Sequence, residues 1–213
     1  IRGCAPSINI YDSGASVRVN PTTFRTRSAG GHIHLGRLVD HNNQPQSQDR
    51  LTDLVPVLDA IVGNTCVLID RDPSAAVRRQ VYRLPPSGGR LEYRTLSNFW
   101  LGSYQLMSLV MGLSRLATYI WNNTPVYAES DPHRPAPAGA WDALDAFMKV
   151  VPLPAIQQAI NENNLSLARD NYWVIREFLD AHTKNGFVGH QIDAGIDGPK
   201  LAAFDHFIKG IDE

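Results

Sequence analysis

The chain has 213 residues, of which 43% are hydrophobic and 19% charged. This composition supports a folded core and excludes a disordered, collagen-like or short disulfide-stapled protein. The net charge of -1 gives no basis for binding nucleic acid or an anionic membrane. The two cysteines, Cys4 and Cys66, match no zinc or redox spacing, so we expect reduced, buried thiols in a soluble cytoplasmic protein.

The first half of the chain is basic and uses only one kind of cation. Residues 1–96 contain twelve Arg and no Lys against eight acidic residues, whereas residues 97–213 contain eight basic and thirteen acidic residues. A guanidinium group is planar and can hold a carboxylate or phosphate through two hydrogen bonds, which an ammonium group cannot. The first half therefore indicates anion chemistry.

Short runs between Gly, Pro, Asn and Ser predict strands in the first 94 residues. The predicted strands are 8–11, 16–19, 31–35, 66–69 and 90–95. One amphipathic helix is predicted among them at 49–61, because apolar residues recur there at helical spacing with Asp59 on the polar side.

The remainder of the chain is predicted to be mainly helical. A long apolar helix is expected from a cap at Ser97 or Asn98 to about Trp121, with Tyr104 in the core. Beyond a Pro-rich connection at 131–138, helical spacing recurs at 141–148, 165–179 and 201–211. The predicted fold class is α+β: a strand-rich, basic part followed by a helical, acidic part.

Two predicted strands carry candidate functional side chains. Alternation along a strand places His32 and His34 on one face, where paired imidazoles could bind a metal or a phosphate, or could be half-exposed polar residues without a ligand. The same alternation places Arg90, Glu92 and Arg94 on one face of the second strand. That row is either a structural set of ion pairs or a carboxylate that binds a divalent cation beside phosphate-binding guanidinium groups.

Three further arginines precede the second strand: Arg78, Arg79 and Arg83. A single Glu92 cannot neutralise so many guanidinium groups. The excess positive charge favours an external anion over a purely structural ion-pair row.

These two strands together resemble the glutamine synthetase superfamily of ATP-dependent carboxylate-amine ligases. The closer resemblance is to its phage-type COOH-NH2 ligases, or amidoligases, and it rests on RSAGGHIHLG at 27–36, LEYRTLSNFW at 91–100 and, more loosely, GCAPSINIY at 3–11. It covers residues 3–121. The resemblance implies a glutamine synthetase-like antiparallel sheet with packed helices, whose concave face binds metal ions, ATP and an acid substrate.

The resemblance also implies a role for each candidate residue. His32 and Glu92 are similar to the ligands of Mg²⁺ or Mn²⁺, and His34 to a residue that contacts the nucleotide phosphates. Arg94 and Arg90 would neutralise the transferred phosphoryl group or the substrate carboxylate. The family also has arginines shortly before this strand, and Arg78, Arg79 and Arg83 match them only loosely. The resemblance implies that these three residues would bind ATP.

Some parts of the ligase pattern do not occur in this sequence. These are the Gly-x-Asp-Pro-Glu stretch, the Asn-x-Ala-x-Glu-Phe strand and a glycine-rich loop that would fall between Tyr82 and Arg83. The first two supply acidic metal ligands in the family. Either these segments have been lost or they belong to the protein outside this sequence, and the start at Ile1 favours the second explanation. We expect a ligase-like sheet domain at 1–121 that lacks its N-terminal strands, followed by a mainly helical region at 122–213.

Three functional hypotheses remain. The first is an ATP-dependent ligase that joins an unidentified acid and amine, a peptide or protein among the candidates, in the cytoplasm of a bacterial host if phage-encoded. The second is a phage structural or interaction protein on a catalytically degenerate ligase fold, for which association with the virion is open. The third is a metal-dependent hydrolase that uses His32 and His34. No nucleic-acid or membrane partner is expected, and a homo-oligomer is left open.

Overall fold

The chain combines two short antiparallel strand pairs with a set of packed helices. A computed structural model describes residues 7–8, 10–11, 16–17, 30–39, 43–70, 89–122 and 143–184. β1 (Ser7–Ile8) pairs with β2 (Ser16–Val17), and β3 (Ile33–Leu35) pairs with β4 (Leu91–Tyr93). The predicted α+β class is confirmed at this level, and the predicted strands near residues 8, 16, 33 and 92 all contain strand residues.

The helical segments follow in two groups. Between β3 and β4 lie α1 (Gln48–Thr52), α2 (Leu54–Leu58), a π-helical segment (Asp59–Gly63) and α3 (Asn64–Ile69). After β4 lie a 3₁₀ turn (Phe99–Gly102), α4 (Tyr104–Asn122), α5 (Ala143–Val150), α6 (Leu153–Glu162) and α7 (Leu165–Lys184). The predicted helices at 141–148 and 165–179 correspond to α5 and α7, whereas the one at 201–211 lies outside the described residues.

The segments α1 to α3, with the π-helical segment between them, form one nearly continuous helix, which we call the central helix (48–69). Its range Asp49–Ile69 is long and apolar enough to cross a membrane, but most of it is buried inside the fold. A helix that is apolar on all sides is typical of a core that other elements surround completely. The central helix is therefore placed as the core helix of a soluble protein would be.

Two expectations about this helix are wrong. Residues 66–69, predicted as a strand, are the last turn of α3, because a short apolar run fits a buried helix as well as a buried strand. Asp59, expected on a polar side, is completely buried. The helix has no solvent-facing side at that point, since the β3–β4 pair covers it.

Helices from both halves of the chain surround the central helix in one hydrophobic core. α4 packs along α2 and the π-helical segment, α6 and α7 pack on α3, and α5 lies between α4 and α7. Phe147 of α5 meets Phe178 of α7 edge to face, with ring centroids 5.3 Å apart. The predicted boundary at 121/122 borders residues outside the described ranges and stays a prediction, although the helices on both sides of it share this core.

Polar contacts fix two of these helix pairs. The Asn64 side chain donates to the carbonyl oxygen of Ala168 at 2.8 Å and accepts from Asn171 at 3.1 Å, all inside the core. Arg50 donates to the carbonyl oxygen of Trp121 at 2.6 Å, and the Trp121 indole donates back to the carbonyl oxygen of Arg50 at 2.9 Å. The first set joins α3 to α7, and the second joins α1 to the end of α4.

The start of α4 differs from the prediction. The hydroxyl of Ser103 accepts a hydrogen bond from the Leu106 amide at 3.1 Å and caps α4, whereas the expected caps at 97 and 98 precede the 3₁₀ turn. Tyr104, expected in the core, is 80% exposed. The aromatic core residues of this region are instead Trp100 and Trp121.

Gly63 offers a test of how tightly the β3–β4 pair and α6 close on the central helix. A Cβ atom at this position would lie 2.6 Å from the Tyr93 hydroxyl and 2.9 Å from Cδ1 of Ile160. We expect Gly63→Ala to lower the free energy of unfolding by about 2 kcal/mol, because overpacking outweighs the roughly 1 kcal/mol gain in helix propensity. Urea denaturation measures the change.

The matched control is Gly102→Ala, since a Cβ atom at Gly102 would meet nothing within 4 Å. We expect this variant to change stability by less than about 0.5 kcal/mol. Equal stability of the two variants would show that the contact between Gly63 and Tyr93 is looser than described.

Candidate functional site

The candidate site lies on the outer face of the β3–β4 pair. The antiparallel register places Ile33 opposite Tyr93, His34 opposite Glu92 and Leu35 opposite Leu91. Ile33, Leu91 and Tyr93 are buried against the core. Because side chains alternate between the faces of a strand, His34 and Glu92 point the other way, as do the residues two positions away from them, His32, Arg90 and Arg94. The predicted alternation in both strands is confirmed.

Glu92 lies at the centre of this face. Its Oε1 atom accepts a hydrogen bond from Arg94 Nε at 2.8 Å and lies 2.9 Å from Nδ1 of His32 and 3.8 Å from Nε2 of His34. The side chains of Glu92 and Arg94 are 12% and 11% exposed, whereas that of His34 is 61% exposed. Four of the predicted site residues therefore meet around one carboxylate oxygen.

The charges around Glu92 keep its carboxylate ionised. Partial burial by itself raises the pKa of Glu92, but the hydrogen bond and positive charge of Arg94, followed by the charges of His32 and His34, outweigh that effect and lower the pKa. The face thus holds a carboxylate whose negative charge is balanced within the site. In the described structure Arg94 is committed to this carboxylate.

Backbone contacts at Gly31 fix the start of β3 and so position His32. The Gly31 amide donates to the carbonyl oxygen of Leu96 at 3.1 Å, and the Trp100 indole donates to the carbonyl oxygen of Gly31 at 3.3 Å. A Cβ atom at Gly31 would collide with the Ser97 carbonyl oxygen and with Trp100. Only glycine fits here, which gives the glycine-rich approach to β3 a structural role.

The same region is joined to the central helix through Asp70. The Ser97 hydroxyl donates to Oδ2 of Asp70 at 2.5 Å, and both side chains are buried. The Asp70 amide donates to the carbonyl oxygen of Cys66 and so ends α3. Ser97 also forms a β-bridge with Gly30. The hydrogen bond between Ser97 and Asp70 therefore connects the end of the central helix to the segment that contains His32 and leads into β3.

A second buried carboxyl group lies behind β4, on the core side. The Tyr93 hydroxyl donates to one oxygen of Asp59 and the Tyr11 hydroxyl to the other, each at 2.8 Å. Burial raises the pKa of Asp59 to about 7, although the hydrogen bonds from Tyr93 and Tyr11 act in the opposite direction. The Thr95 hydroxyl is also buried near this carboxyl but forms no hydrogen bond of good geometry. Consecutive residues of β4 therefore anchor the strand (Tyr93) and carry the site (Glu92).

Of the other predicted site residues, the structure describes only Arg90. Arg90 is exposed at the far end of the same face, and Arg78, Arg79 and Arg83 lie outside the described residues. Sequence reasoning did not single out Arg37 as a candidate site residue. The structure places it at the same far end of the face, exposed and with a left-handed backbone (φ 57°). The one signal in the sequence is the spacing of Leu35 and Leu38. They are three positions apart, whereas strict alternation would turn Leu38, which is buried, towards solvent.

Comparisons with known proteins do not assign this site. No family model, curated protein or solved structure matches the chain significantly.

Asp59 predicts a pH dependence of folding stability. Its pKa rises from 3.8 to about 7 on folding, so between these values the folded chain binds more protons than the unfolded chain. The contribution of Asp59 to stability is therefore expected to fall as the pH rises from about 4 to 7, by up to about 4 kcal/mol. In Asp59→Asn the amide can pair with both tyrosine hydroxyls without titrating, and we expect this part of the pH dependence to disappear.

Urea denaturation of both proteins at pH 5 and pH 8 measures this difference. Every other titrating group is common to the two proteins, so the change in their stability difference between the two pH values reports Asp59 alone. Parallel pH profiles would contradict a raised pKa at this carboxyl.

Proposed function

We propose that the chain is an ATP-dependent carboxylate-amine ligase, with the β3–β4 pair as part of a glutamine synthetase-like sheet. The observation that carries the proposal is the convergence of His32, His34 and Arg94 on the Glu92 carboxylate. The resemblance joins these residues by motif, and the antiparallel register brings them onto one face although they are 58 to 62 positions apart along the chain. A purely local ion-pair row would not need two histidines from another strand.

The proposed reaction has two steps. A carboxylate oxygen of the acid substrate attacks the γ-phosphorus of ATP, the bond to the β-phosphate oxygen breaks, and ADP leaves. The amine nitrogen then attacks the acyl carbon, phosphate leaves with the former carboxylate oxygen, and the nitrogen loses a proton. Negative charge accumulates on the transferred phosphoryl group, and positioned cations stabilise such charge in a site shielded from water.

The residues of the face have distinct proposed roles. Arg94, which is mostly buried and held by Glu92, would neutralise the phosphoryl group in transfer, with Arg90 at the far end for a second anionic group. His34, the more exposed imidazole, would contact the nucleotide phosphates. Arg78, Arg79 and Arg83 are proposed as further nucleotide contacts from their sequence position.

The donor set of this face limits how Mg²⁺ or Mn²⁺ could bind. Mg²⁺ takes near-octahedral oxygen coordination, commonly from one or two carboxylates together with phosphate oxygens and water. Within the ranges that the structure describes, no group of three or more His, Cys, Asp or Glu could hold a metal ion, and Oε1 of Glu92 is shared with Arg94 and His32. We propose that such an ion would arrive bound to nucleotide phosphates, with His32 and Glu92 as its protein ligands, and that it would neutralise phosphate charge.

We place the reaction in the cytoplasm, in that of a bacterial host if the chain is phage-encoded. The acid and the amine are left open between small amino acids and the ends or side chains of a peptide or protein. Neither nucleic acid nor a membrane is proposed as a partner, because the net charge is -1 and the one sufficiently apolar helix in the described part is mostly buried.

A structural or interaction protein on a degenerate ligase fold is the second candidate. The incomplete set of metal ligands among the described residues favours this candidate. A degenerate face that keeps its ion pairs but binds no nucleotide would have the same arrangement of side chains. The two candidates differ in one observable property: only the ligase binds ATP together with a divalent cation.

Hydroxylamine provides a test that does not require the natural amine. Incubation with ATP, Mg²⁺ or Mn²⁺, hydroxylamine and a panel of amino acids and dicarboxylic acids should yield a hydroxamate and ADP in equal amounts, because hydroxylamine traps acyl phosphates. We expect Glu92→Gln to lower hydroxamate formation at least about 100-fold, since the Gln amide is neutral and leaves Arg94 without its carboxylate.

Glu162→Gln is the matched control, because Glu162 is an exposed residue of α6 that accepts a hydrogen bond from Gln158. It should retain the wild-type rate. Native mass spectrometry with ATP and Mn²⁺ supplies the second measurement. A wild-type protein that binds no nucleotide would refute the ligase and support the interaction protein, and turnover without ATP would indicate a hydrolase.

A further inference from the structure

The β3–β4 pairing contains an irregularity just beyond the site. Leu35 lies opposite Leu91, yet the next backbone contact is the Leu38 amide, which donates to the carbonyl oxygen of Gly89 at 3.0 Å. Two residues, Gly36 and Arg37, therefore stand opposite the single residue Arg90 between these contacts. This is the arrangement of a β-bulge, a feature that redirects side chains and often lies beside active sites.

The bulge reverses the direction of the side chains that follow it. Strict alternation from Leu35 would point Arg37 into the core and Leu38 outwards. With the extra residue, Leu38 returns to the core, where it is 8% exposed, and Arg37 is exposed. The insertion thus brings a guanidinium group to the face that carries Glu92.

Neighbouring contacts hold the bulge in place from both sides. The Leu38 carbonyl oxygen accepts from the Gln46 amide at 2.9 Å, and Val39 forms a β-bridge with Pro45. Gly89 takes a positive φ of 69°, and a Cβ atom there would lie 2.6 Å from the Leu38 carbonyl oxygen. These contacts surround Arg37, whose backbone is left-handed (φ 57°) although it is not a glycine. Such a conformation persists where the surrounding structure determines it.

The side chains of the cations at this end of the face have no partner among the described residues. Arg37 and Arg90 are exposed and form no ion pair or hydrogen bond with any residue in the described ranges. Glu92, the acidic side chain of the face, is engaged with Arg94 and two histidines. Glu92 lies midway between Arg90 and Arg94 along the chain, and its carboxylate is paired with Arg94 and not with Arg90.

The backbone is open at Gly36, which precedes Arg37 and stands opposite Arg90 in the bulge. A Cβ atom at Gly36 would meet nothing within 4 Å, so a ligand could approach the backbone of the bulge directly. Two guanidinium groups flanking an open glycine suit an oxyanion, because each presents paired N–H donors to phosphate or carboxylate oxygens.

We propose that Arg37, within the bulge, and Arg90, opposite it, form an oxyanion-binding subsite that is separate from the Glu92–Arg94 end of the face. The subsite takes a phosphate or a carboxylate group. Its assignment to the ligase reaction rests on the proposed function: there it would bind a terminal phosphate group of the nucleotide or a second carboxylate of the acid substrate.

Isothermal titration of the full chain with inorganic pyrophosphate and with glutarate tests the subsite and distinguishes the two sources. The informative variants are Arg37→Gly, which suits a φ of 57° and therefore keeps the bulge, and Arg90→Gln. Arg115→Gln on the exposed surface of α4 is the control. We expect at least one probe to bind the wild type, each subsite variant to weaken it at least about tenfold, a loss of about 1.4 kcal/mol, and the control to bind as the wild type does.

Selective binding of pyrophosphate identifies the nucleotide as the source, and selective binding of glutarate identifies the acid substrate. Binding of neither probe, unchanged affinity in the Arg37 and Arg90 variants, or an equal loss in the Arg115 control overturns the subsite. None of these titrations requires turnover. If Arg37→Gly loses anion binding and the wild type forms no hydroxamate, the subsite stands and the ligase is refuted. If Arg37→Gly binds the anion as the wild type does and the wild type forms hydroxamate, the subsite alone is refuted.

Discussion

The complete burial of Asp59 constrains the whole arrangement. The central helix is enclosed on all sides around Asp59, so this carboxyl group must find hydrogen-bond donors inside the protein. Tyr93 supplies one of them from β4, and that hydrogen bond fixes both the position and the facing of the strand. With Tyr93 turned inwards, Glu92 has to turn outwards. The π-helical segment helps, because it begins at Asp59 and ends at Gly63, where the absence of a side chain leaves room for the tyrosine hydroxyl.

This geometry divides the outer face into two ends with different electrostatics. At one end the Glu92 carboxylate accepts a hydrogen bond from Arg94, and the same oxygen lies within 3.8 Å of a ring nitrogen of each histidine. At the other end Arg37 and Arg90 carry charge that no described residue balances. An elongated ligand with two anionic groups would use both ends, whereas a compact anion would compete with Glu92 for Arg94. The described structure therefore favours binding of the first anion at the free end.

The sequence predicts the faces of the site better than it predicts how they meet. Alternation places Glu92 and Arg94 together from the residue pattern alone, but a period of two does not specify which strands pair or in what register. The bulge could not be predicted from alternation either, because an extra residue interrupts the period of two. Only the burial of Leu38, three positions after Leu35, reveals it. α6 was missed because Pro152 and Pro154 look like a break, although proline fits a first helical turn. Residues 66–69 were taken for a strand because short apolar runs are ambiguous.

The choice of residue at the bulge is itself informative. Glycine or asparagine would form a left-handed position with less strain than arginine, and the bulge needs no side chain there, because its hydrogen bonds come from the backbone of Leu38 and its neighbours. The guanidinium group therefore adds nothing to the fold that the described contacts reveal, yet the backbone strain is borne by the folded chain whether or not a ligand is bound. The fixed backbone sets the direction of the Cα–Cβ bond of Arg37 before an anion arrives, which lowers the backbone part of the ordering cost of binding. The Arg37 bulge is best understood as a pre-organised feature whose stabilising partner is external.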